Sequence, residues 1–234
     1  MDPMTTTLIT GANKGLGHEA ARRLVDAGQD VWVAARDATA GQAAAEQLGA
    51  RFVQLDVTDD ASVAAAVQTI RDAGTGLDVL VNNAGISGAH KGVAETGPED
   101  LAEVYATNVL GLVRVTRAFL PLLEESESPV IVNVSSGVGS MTLTNDPERV
   151  ENSFVALAYP SSKSAVTMLS SQYARALPHI RINAVDPGYT ATDLNGNSGP
   201  QTVTEGTDAI VAMAQIGADG PTNTIVDRFG AVPF

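Results

Sequence analysis

Residues 10–17 read Thr10-Gly11-Ala12-Asn13-Lys14-Gly15-Leu16-Gly17, and this octet decides the fold. An apolar run at 6–10 leads into it, and a helical pattern over 16–27 leads out. Glycines at such a strand-to-helix turn let the backbone come close to a ligand. The helix start beyond them offers free N–H groups at the positive end of its dipole. A pyrophosphate suits both features. The glycine triplet alone is a weak signal, and a bare tight turn is the ordinary alternative. Its place between a strand and a helix, at the head of an alternating run, makes the signal specific.

The alternation continues outward. Further strands are predicted at 31–35, 51–55, 79–81, 130–134, 181–185 and 224–226, which with 6–10 makes about seven. Helices are predicted at 39–48, from a Thr58 or Asp59 cap to 73, from 96 to about 123 with a break, at 159–177, and from 202 to about 216. Gly28, Gly49 and Gly74 stand where helices stop. Thr96-Gly97-Pro98-Glu99 and Thr202-Val203-Thr204-Glu205 read as capping boxes, the first with Pro98 in the opening turn. Strands rich in Val, Ile and Leu without polar alternation are buried on both faces, as in a parallel sheet covered by helices. Strand and helix in turn give the doubly wound α/β class. No linker, repeat or charge run divides the 234 residues, so 1–234 are expected to form one dinucleotide-binding and catalytic domain. The least regular stretches, 140–157 and 192–201, each follow a strand end and are expected to wall or cover a site.

Composition narrows the partners. Lys and Arg number 14 against 27 Asp and Glu, a net charge of −13 that repels phosphate backbones and anionic membranes. Nucleic acid is therefore not an expected partner, and no apolar run reaches the length of a membrane span. Cysteine is absent, which removes disulfides, thiolate metal sites and a cysteine nucleophile. The start, Met1-Asp2-Pro3-Met4-Thr5, has no basic region followed by an apolar block, so the expected location is cytoplasmic. His18, His90 and His179 stand alone, without ligand spacing, and no metal is predicted. Ser136 has neither a nearby histidine in sequence nor a nucleophile-elbow pattern, which argues against a hydrolase.

The end of the second strand selects the dinucleotide. A site for NAD commonly places Asp or Glu there, on the ribose 2′-hydroxyl. This chain has Ala34-Ala35-Arg36. Alanine accepts no hydrogen bond, whereas a guanidinium forks onto a 2′-phosphate. Lys14 adds a second cation, so NADPH/NADP+ is the expected cofactor. Asp37 is better placed to cap the next helix.

With these features the chain resembles the short-chain dehydrogenase/reductase family over nearly its whole length. Gly11, Asn13, Lys14, Gly15, Leu16 and Gly17 match its cofactor turn, and Asp56 with Val57 its adenine contact. Asn82-Asn83-Ala84-Gly85 matches the segment that steadies the sheet beside the cofactor. Asn108, Ser136 and Tyr159-Pro160-Ser161-Ser162-Lys163 match its catalytic residues. Pro187, Gly188, Thr190 and Thr192 resemble the loop that holds the nicotinamide carboxamide. The resemblance implies a single-domain doubly wound Rossmann fold and cofactor contacts at Arg36, Asn83, Ala84, Gly85, Tyr159 and Lys163. Ser136 and Tyr159 are 23 residues apart, more than in most of the family, and the tail lacks the common Asp-Gly-Gly ending. Both traits, with Lys14, resemble the NADPH-dependent carbonyl reductase branch. Relatives are commonly dimers or tetramers; the longer loop before Tyr159 leaves a monomer open.

The residue types suit carbonyl reduction, in which carbon takes a hydride and oxygen a proton. A free tyrosine has a pKa of about 10. Lys163 follows Tyr159 by one helical turn on the same face, and its ammonium is expected to favour the phenolate. Ser136 would hold the substrate oxygen. The resemblance gives Asn108 a water-holding relay role. A small-molecule aldehyde, ketone or alcohol is the expected substrate. Its pocket is expected at 86–90, 137–157 and 189–199. The rival readings are a non-catalytic NADP(H) sensor and a ketoacyl reductase acting on carrier-bound substrate.

Overall fold

The computed structural model describes residues 4–89 and 91–234. The reading of Met1 to Pro3 and that of His90 lie outside the described residues. The strands are β1 (Thr6–Thr10), β2 (Asp30–Ala35), β3 (Arg51–Gln54), β4 (Val79–Asn82), β5 (Val130–Val134), β6 (Arg181–Val185), β7 (Ile225–Asp227) and β8 (Gly230–Ala231). They form one sheet in the order β3-β2-β1-β4-β5-β6-β7-β8. Every pair is parallel except β7 with β8, which returns antiparallel through Val226↔Ala231. Among the described residues the count is therefore eight strands, one more than the sequence predicts. The extra strand has two exposed residues and no apolar pattern to announce it.

The helices are α1 (Gly15–Asp26), α2 (Ala38–Leu48), α3 (Asp60–Ala73), α4 (Pro98–Tyr105), α5 (Leu112–Leu123), α6 (Met141–Thr144), α7 (Ala158–Ala176), α8 (Val203–Gly206) and α9 (Asp208–Ala214). Successive strand residues point to opposite faces, and each face is apolar here. Leu8 joins Trp32, Val53, Ile70, Phe119 and Ile182 in a core under α3, α5 and α7. Ile9 joins Leu24, Val33, Val81, Val132 and Ile210 under α1, α2 and α9. Phe119, Leu8 and Ile9 are fully buried, each worth about 1.5–3 kcal/mol of transfer free energy. The Trp32 indole N–H donates to Thr75 Oγ1 at 3.2 Å, so this core aromatic buries no orphan donor.

Local signals set the ends. Asp37 and Asp59 accept N–H groups of Ala40 and Ala61 and cap α2 and α3. Gly49, at φ +66°, closes α2 in the left-handed conformation that glycine adopts without strain. The predicted box at Thr202 and Glu205 forms in both directions. The one at Thr96 is displaced: Gly97 is the cap, Asp100 accepts its N–H at 2.9 Å, and the Thr96 hydroxyl turns back to the Gly92 carbonyl. Between α4 and α5 the helix widens into a π-helical segment, Ala106–Gly111, where a break was expected. The continuous helix Pro98–Leu123 does reach membrane-span length, with a mean hydropathy of 1.2, against the sequence reading. Half of it is buried in the core, through Val104, Val115, Phe119 and Leu122 among others.

The strand order reverses between β1 and β4, which run side by side while their crossovers lead to opposite sides. Such a switch point opens a crevice beyond the carboxyl ends of the strands.

Candidate active site

A cleft of about 820 Å³ occupies that crevice. At one end lies the glycine turn. Gly11 has φ +65°, and a Cβ there would stand 3.0 Å from Ala84 Cα, so only glycine lets the turn pack on the chain after β4. Asn83 ties the two together: its Nδ2 donates to the carbonyls of Thr10 and Gly11 at 2.8 and 3.2 Å. The Thr10 hydroxyl accepts the N–H groups of Asn83 and Ala84, both at 3.0 Å. No side chain caps α1, so the N–H groups of its first turn are left for a ligand.

Gly11, Asn13, Lys14, Gly15 and Leu16 line this end, with Arg36, Asp56, Val57 and residues 83–85 beside them. Gly17 does not line it. It lies beneath the turn, where a Cβ would fall 2.5 Å from Asn83 Nδ2 and 2.7 Å from the Gly11 carbonyl oxygen. The missing side chain lets α1 pack against the turn. Arg36 is exposed at the end of β2. Burial pushes the Asp56 carboxyl up, but two hydrogen bonds from Thr58 and the nearby Arg36 outweigh it and hold it low. Lys14 reaches across the mouth of the cleft to Asp193, 3.1 Å away, so its ammonium is already paired.

The other end carries the chemistry. Ser135 and Ser136 follow β5 and face opposite ways. Ser135 is buried, donating to the Lys163 carbonyl at 2.9 Å and touching Thr167 at 2.8 Å. Ser136 lines the cleft with Tyr159 and Lys163. Strand β5 and helix α7 are clamped by the Asn133 amide on Ser170 at 2.9 Å, which fixes the serine turn against the Tyr159 helix. Pro160 stands in the first turn of α7, where a missing N–H breaks no helical bond. The Tyr159 ring packs edge-on to Phe154, centroids 6.3 Å apart, so the loop before α7 holds the tyrosine in place.

Lys163 is buried, its Nζ donating to the Val134 carbonyl at 2.8 Å and lying 5.5 Å from the Tyr159 ring centre. Burial brings its ammonium down to about 8, with Asp186 opposing. Burial and then the Asp186 carboxylate push the Tyr159 hydroxyl up to about 12, with Ser136 opposing. Burial and Asp186 therefore work against the expected lowering of Tyr159 by Lys163. The dense wall and Asp186 favour the neutral phenol.

Asn108 sits apart from the cleft wall, in the π-helical segment. Its amide donates to the Ile86 carbonyl and to Ser162 Oγ, at 2.9 and 3.0 Å, and its Oδ1 accepts the Ile86 N–H at 2.9 Å. With Lys163 and Asn82 it borders a pocket of about 10 Å³, near the size one water fills. Asn82 Oδ1, at that pocket, has no protein partner among the described residues.

Pro187, Gly188, Thr190 and Thr192 line the cleft after β6, and Ile86, Val150, Phe154, Tyr189 and Leu194 give it a partly apolar wall. The irregular stretch 140–157 is a wall held by short turns, with Ser140 and Thr142 donating to the carbonyls of Pro233 and Phe234 at 2.6 and 2.9 Å. Sequence reasoning missed Asp186 and did not single out Glu151, both lining the cleft. Arg149 grips Glu151 with two bonds of 3.0 and 3.2 Å. A carboxylate directly before Pro187 was the available signal. Among the described residues no cluster could hold a metal ion.

The profile of the family described as short chain dehydrogenase matches residues 5–202. The (+)-neomenthol dehydrogenase of Capsicum annuum is 31% identical, over 94% of this chain and 95% of that protein. The structure of salutaridine reductase from Papaver somniferum superposes with a TM-score of 0.83 at 28% identity, covering 95% of this chain and 99% of that one. A 3-ketoacyl-(acyl-carrier-protein) reductase from Brucella melitensis, complexed with NADH, has a TM-score of 0.83 at 25% identity, covering 95% and 96%. The chain belongs to the short-chain dehydrogenase family of oxidoreductases.

Proposed function

We propose that the protein is an NADP(H)-dependent carbonyl reductase, converting an aldehyde or ketone to an alcohol or running in reverse. The observation that carries the reading is the meeting of Ser136, Tyr159 and Lys163 at one end of a cleft whose other end is the glycine turn and Arg36. The whole chain acts as one dinucleotide-binding and catalytic unit. The names of the Capsicum annuum dehydrogenase and the Papaver somniferum reductase support a ketone or alcohol substrate.

The cofactor end fits a dinucleotide on its own geometry. The uncapped start of α1 offers N–H groups to a pyrophosphate, and the left-handed turn at Gly11 keeps side chains out of its way. Arg36 is the group that would fork onto a 2′-phosphate. Thr190 and Thr192 would hold the nicotinamide side. When bound, the cofactor supplies the hydride in reduction and, once oxidised, a positive charge near Tyr159.

Ser136 donates to the substrate oxygen and holds it against the Tyr159 hydroxyl. As negative charge grows on that oxygen, both donors are already aimed at it and need no reorganisation. Tyr159 then gives up its proton, and Lys163 and the pocket beside Asn108 offer the path by which it is replaced. A tyrosine held near 12 stays protonated throughout the neutral range, the form reduction requires. The partly apolar wall with Glu151 and Asp186 fits a neutral carbonyl compound better than an anionic one.

The test is absorbance loss of NADPH, and separately NADH, across aldehydes, diketones, quinones and cyclic ketones. Turnover with NADPH preferred is the expected result. Tyr159→Phe should fold and bind NADPH yet lose turnover by about 10³-fold or more. Near wild-type turnover in that variant would sink the assignment. Tight NADPH binding with no turnover over the panel would instead favour the sensor, and turnover confined to carrier-bound ketoacyl substrate the third reading.

A further inference from the structure

Asp186 directly follows β6 and precedes the loop residues Pro187 and Gly188, and it is 4% exposed. Its Oδ1 accepts the Gly188 N–H at 2.9 Å, and the Gly137 N–H also bonds to the carboxylate. One side chain therefore ties the turn just after Ser136 to the loop after β6. A methyl group built on Gly137 would lie 2.7 Å from Asp186 Oδ2 and 2.8 Å from Glu151 Oε1, so the two carboxylates face each other across that glycine. Among the described residues no salt bridge reaches Asp186. Arg149, the cation nearest Glu151, is committed to Glu151 by both bonds. A buried carboxyl thus stands at the chemical end of the cleft, with backbone N–H groups as its partners among the described residues.

We propose that Asp186 is a positioning residue that fixes the Ser136 turn and, through its charge, sets the pH at which Tyr159 can act as a base. The inference rests on the reading of Tyr159 as the acid/base. The titratable and charged groups facing Asp186 are Glu151 and Arg149 on the loop before α7, Tyr159 and Lys163 on α7, and Asp227 on β7. Burial raises the Asp186 carboxyl, its two N–H partners oppose, and Glu151 and Asp227 add to the rise. Once ionised, it makes a phenolate at Tyr159 costlier. The site is thereby biased towards reduction, in which tyrosine starts as the phenol. Alcohol oxidation, which begins with loss of a proton to Tyr159, is confined to higher pH.

Asp186→Asn keeps an oxygen for the Gly188 N–H and removes the charge. In this variant the rising limb of kcat against pH for alcohol oxidation should move down by about one pH unit. The KM for the dinucleotide should stay within about twofold, because the loop tie remains. Asp186→Ala removes the tie as well, so it should raise that KM in addition. A purely structural role would lower activity at every pH and leave the limb where it is; that result overturns the proposal. Should Asp186→Asn not fold, Asp186→Ser, which retains a short acceptor, gives the same reading of the limb. Tyr159→Phe separates the two claims. If it is inactive while the Asp186→Asn limb is unmoved, only the role of Asp186 fails; if it is active, the reading of the site fails.

Discussion

At the glycine-turn end of the cleft the groups presented to a ligand are largely backbone: the free N–H groups of α1, the Gly11 turn and the chain at residues 83–85. At the Ser136 end they are side chains, brought from β5, α7, the loop before α7 and the loop after β6. Backbone geometry is specified by neighbours in sequence, so one end needs little more than glycines at set positions and a strand on either side. Side chains from four segments meet only after the sheet has closed. The first end is thus built locally and the second is assembled from distant segments, where loops carry the reacting side chains.

The strongest way to break that contrast is at Gly17. An added Cβ there meets the Asn83 amide, the Gly11 carbonyl and Ala12 Cα at 2.5, 2.7 and 2.9 Å, and two of those are backbone atoms. Gly17→Ala should lower stability by about 2–3 kcal/mol in urea unfolding and weaken dinucleotide binding together. At the other end Val150, 54% exposed, walls the cleft without filling the core. Val150→Ala should leave stability within about 0.5 kcal/mol and change the substrate KM. If Gly17→Ala were as mild as Val150→Ala, the account of a backbone-built end would fail.

Arg36 sharpens the contrast, as the side chain proposed to fork onto a 2′-phosphate. Hydrogen bonds to a charged group contribute about 1.5–3 kcal/mol. Arg36→Ala should therefore raise the KM for NADPH about tenfold to hundredfold and leave that for NADH within about twofold. An equal effect on both, in initial-rate measurements, refutes a 2′-phosphate contact.

The same division explains what could be read from sequence. The first six strands fall within one residue of the predicted limits, because a buried parallel strand is a continuous apolar run bounded by turn residues. The glycine turn and the Tyr159–Lys163 spacing are legible for the same local reason. The cap at Gly97 was misplaced by one residue, since Thr96 and Glu99 match the pattern while the bond that forms comes from Asp100. At Gly17 spacing shows that a glycine is needed without showing which face demands it. Arg149, Glu151 and Asp186 lie on two distant loops, and no periodicity announces their meeting. The ionisation of Tyr159 was read from Lys163 and from the charge of an oxidised nicotinamide. A sequence reveals the helical neighbour, whereas the desolvating wall and Asp186 are tertiary facts.

A further expected effect concerns Lys163, whose burial opposes its use. Its ammonium is held near 8 by desolvation, below the ordinary lysine value of 10.5. A lysine with a lowered native pKa weakens the fold by an amount fully present below pH 8. That penalty disappears as pH rises through 10.5, because only the unfolded chain takes up the proton in between. Lys163→Met removes the buried charge and leaves the Val134 carbonyl without its 2.8 Å donor. The two changes oppose each other, with the charge the larger, so the variant should be more stable than the parent by about 1–2 kcal/mol at pH 7. The gain should shrink towards zero, or turn into a small loss, by pH 10, while catalysis is lost at both. Unfolding curves at the two pH values decide the matter. A variant less stable than the parent at pH 7 would show that Lys163 stabilises the chemical end of the cleft. That end would then be built for stability, as the glycine turn is, and the contrast between the two ends would fail at its centre.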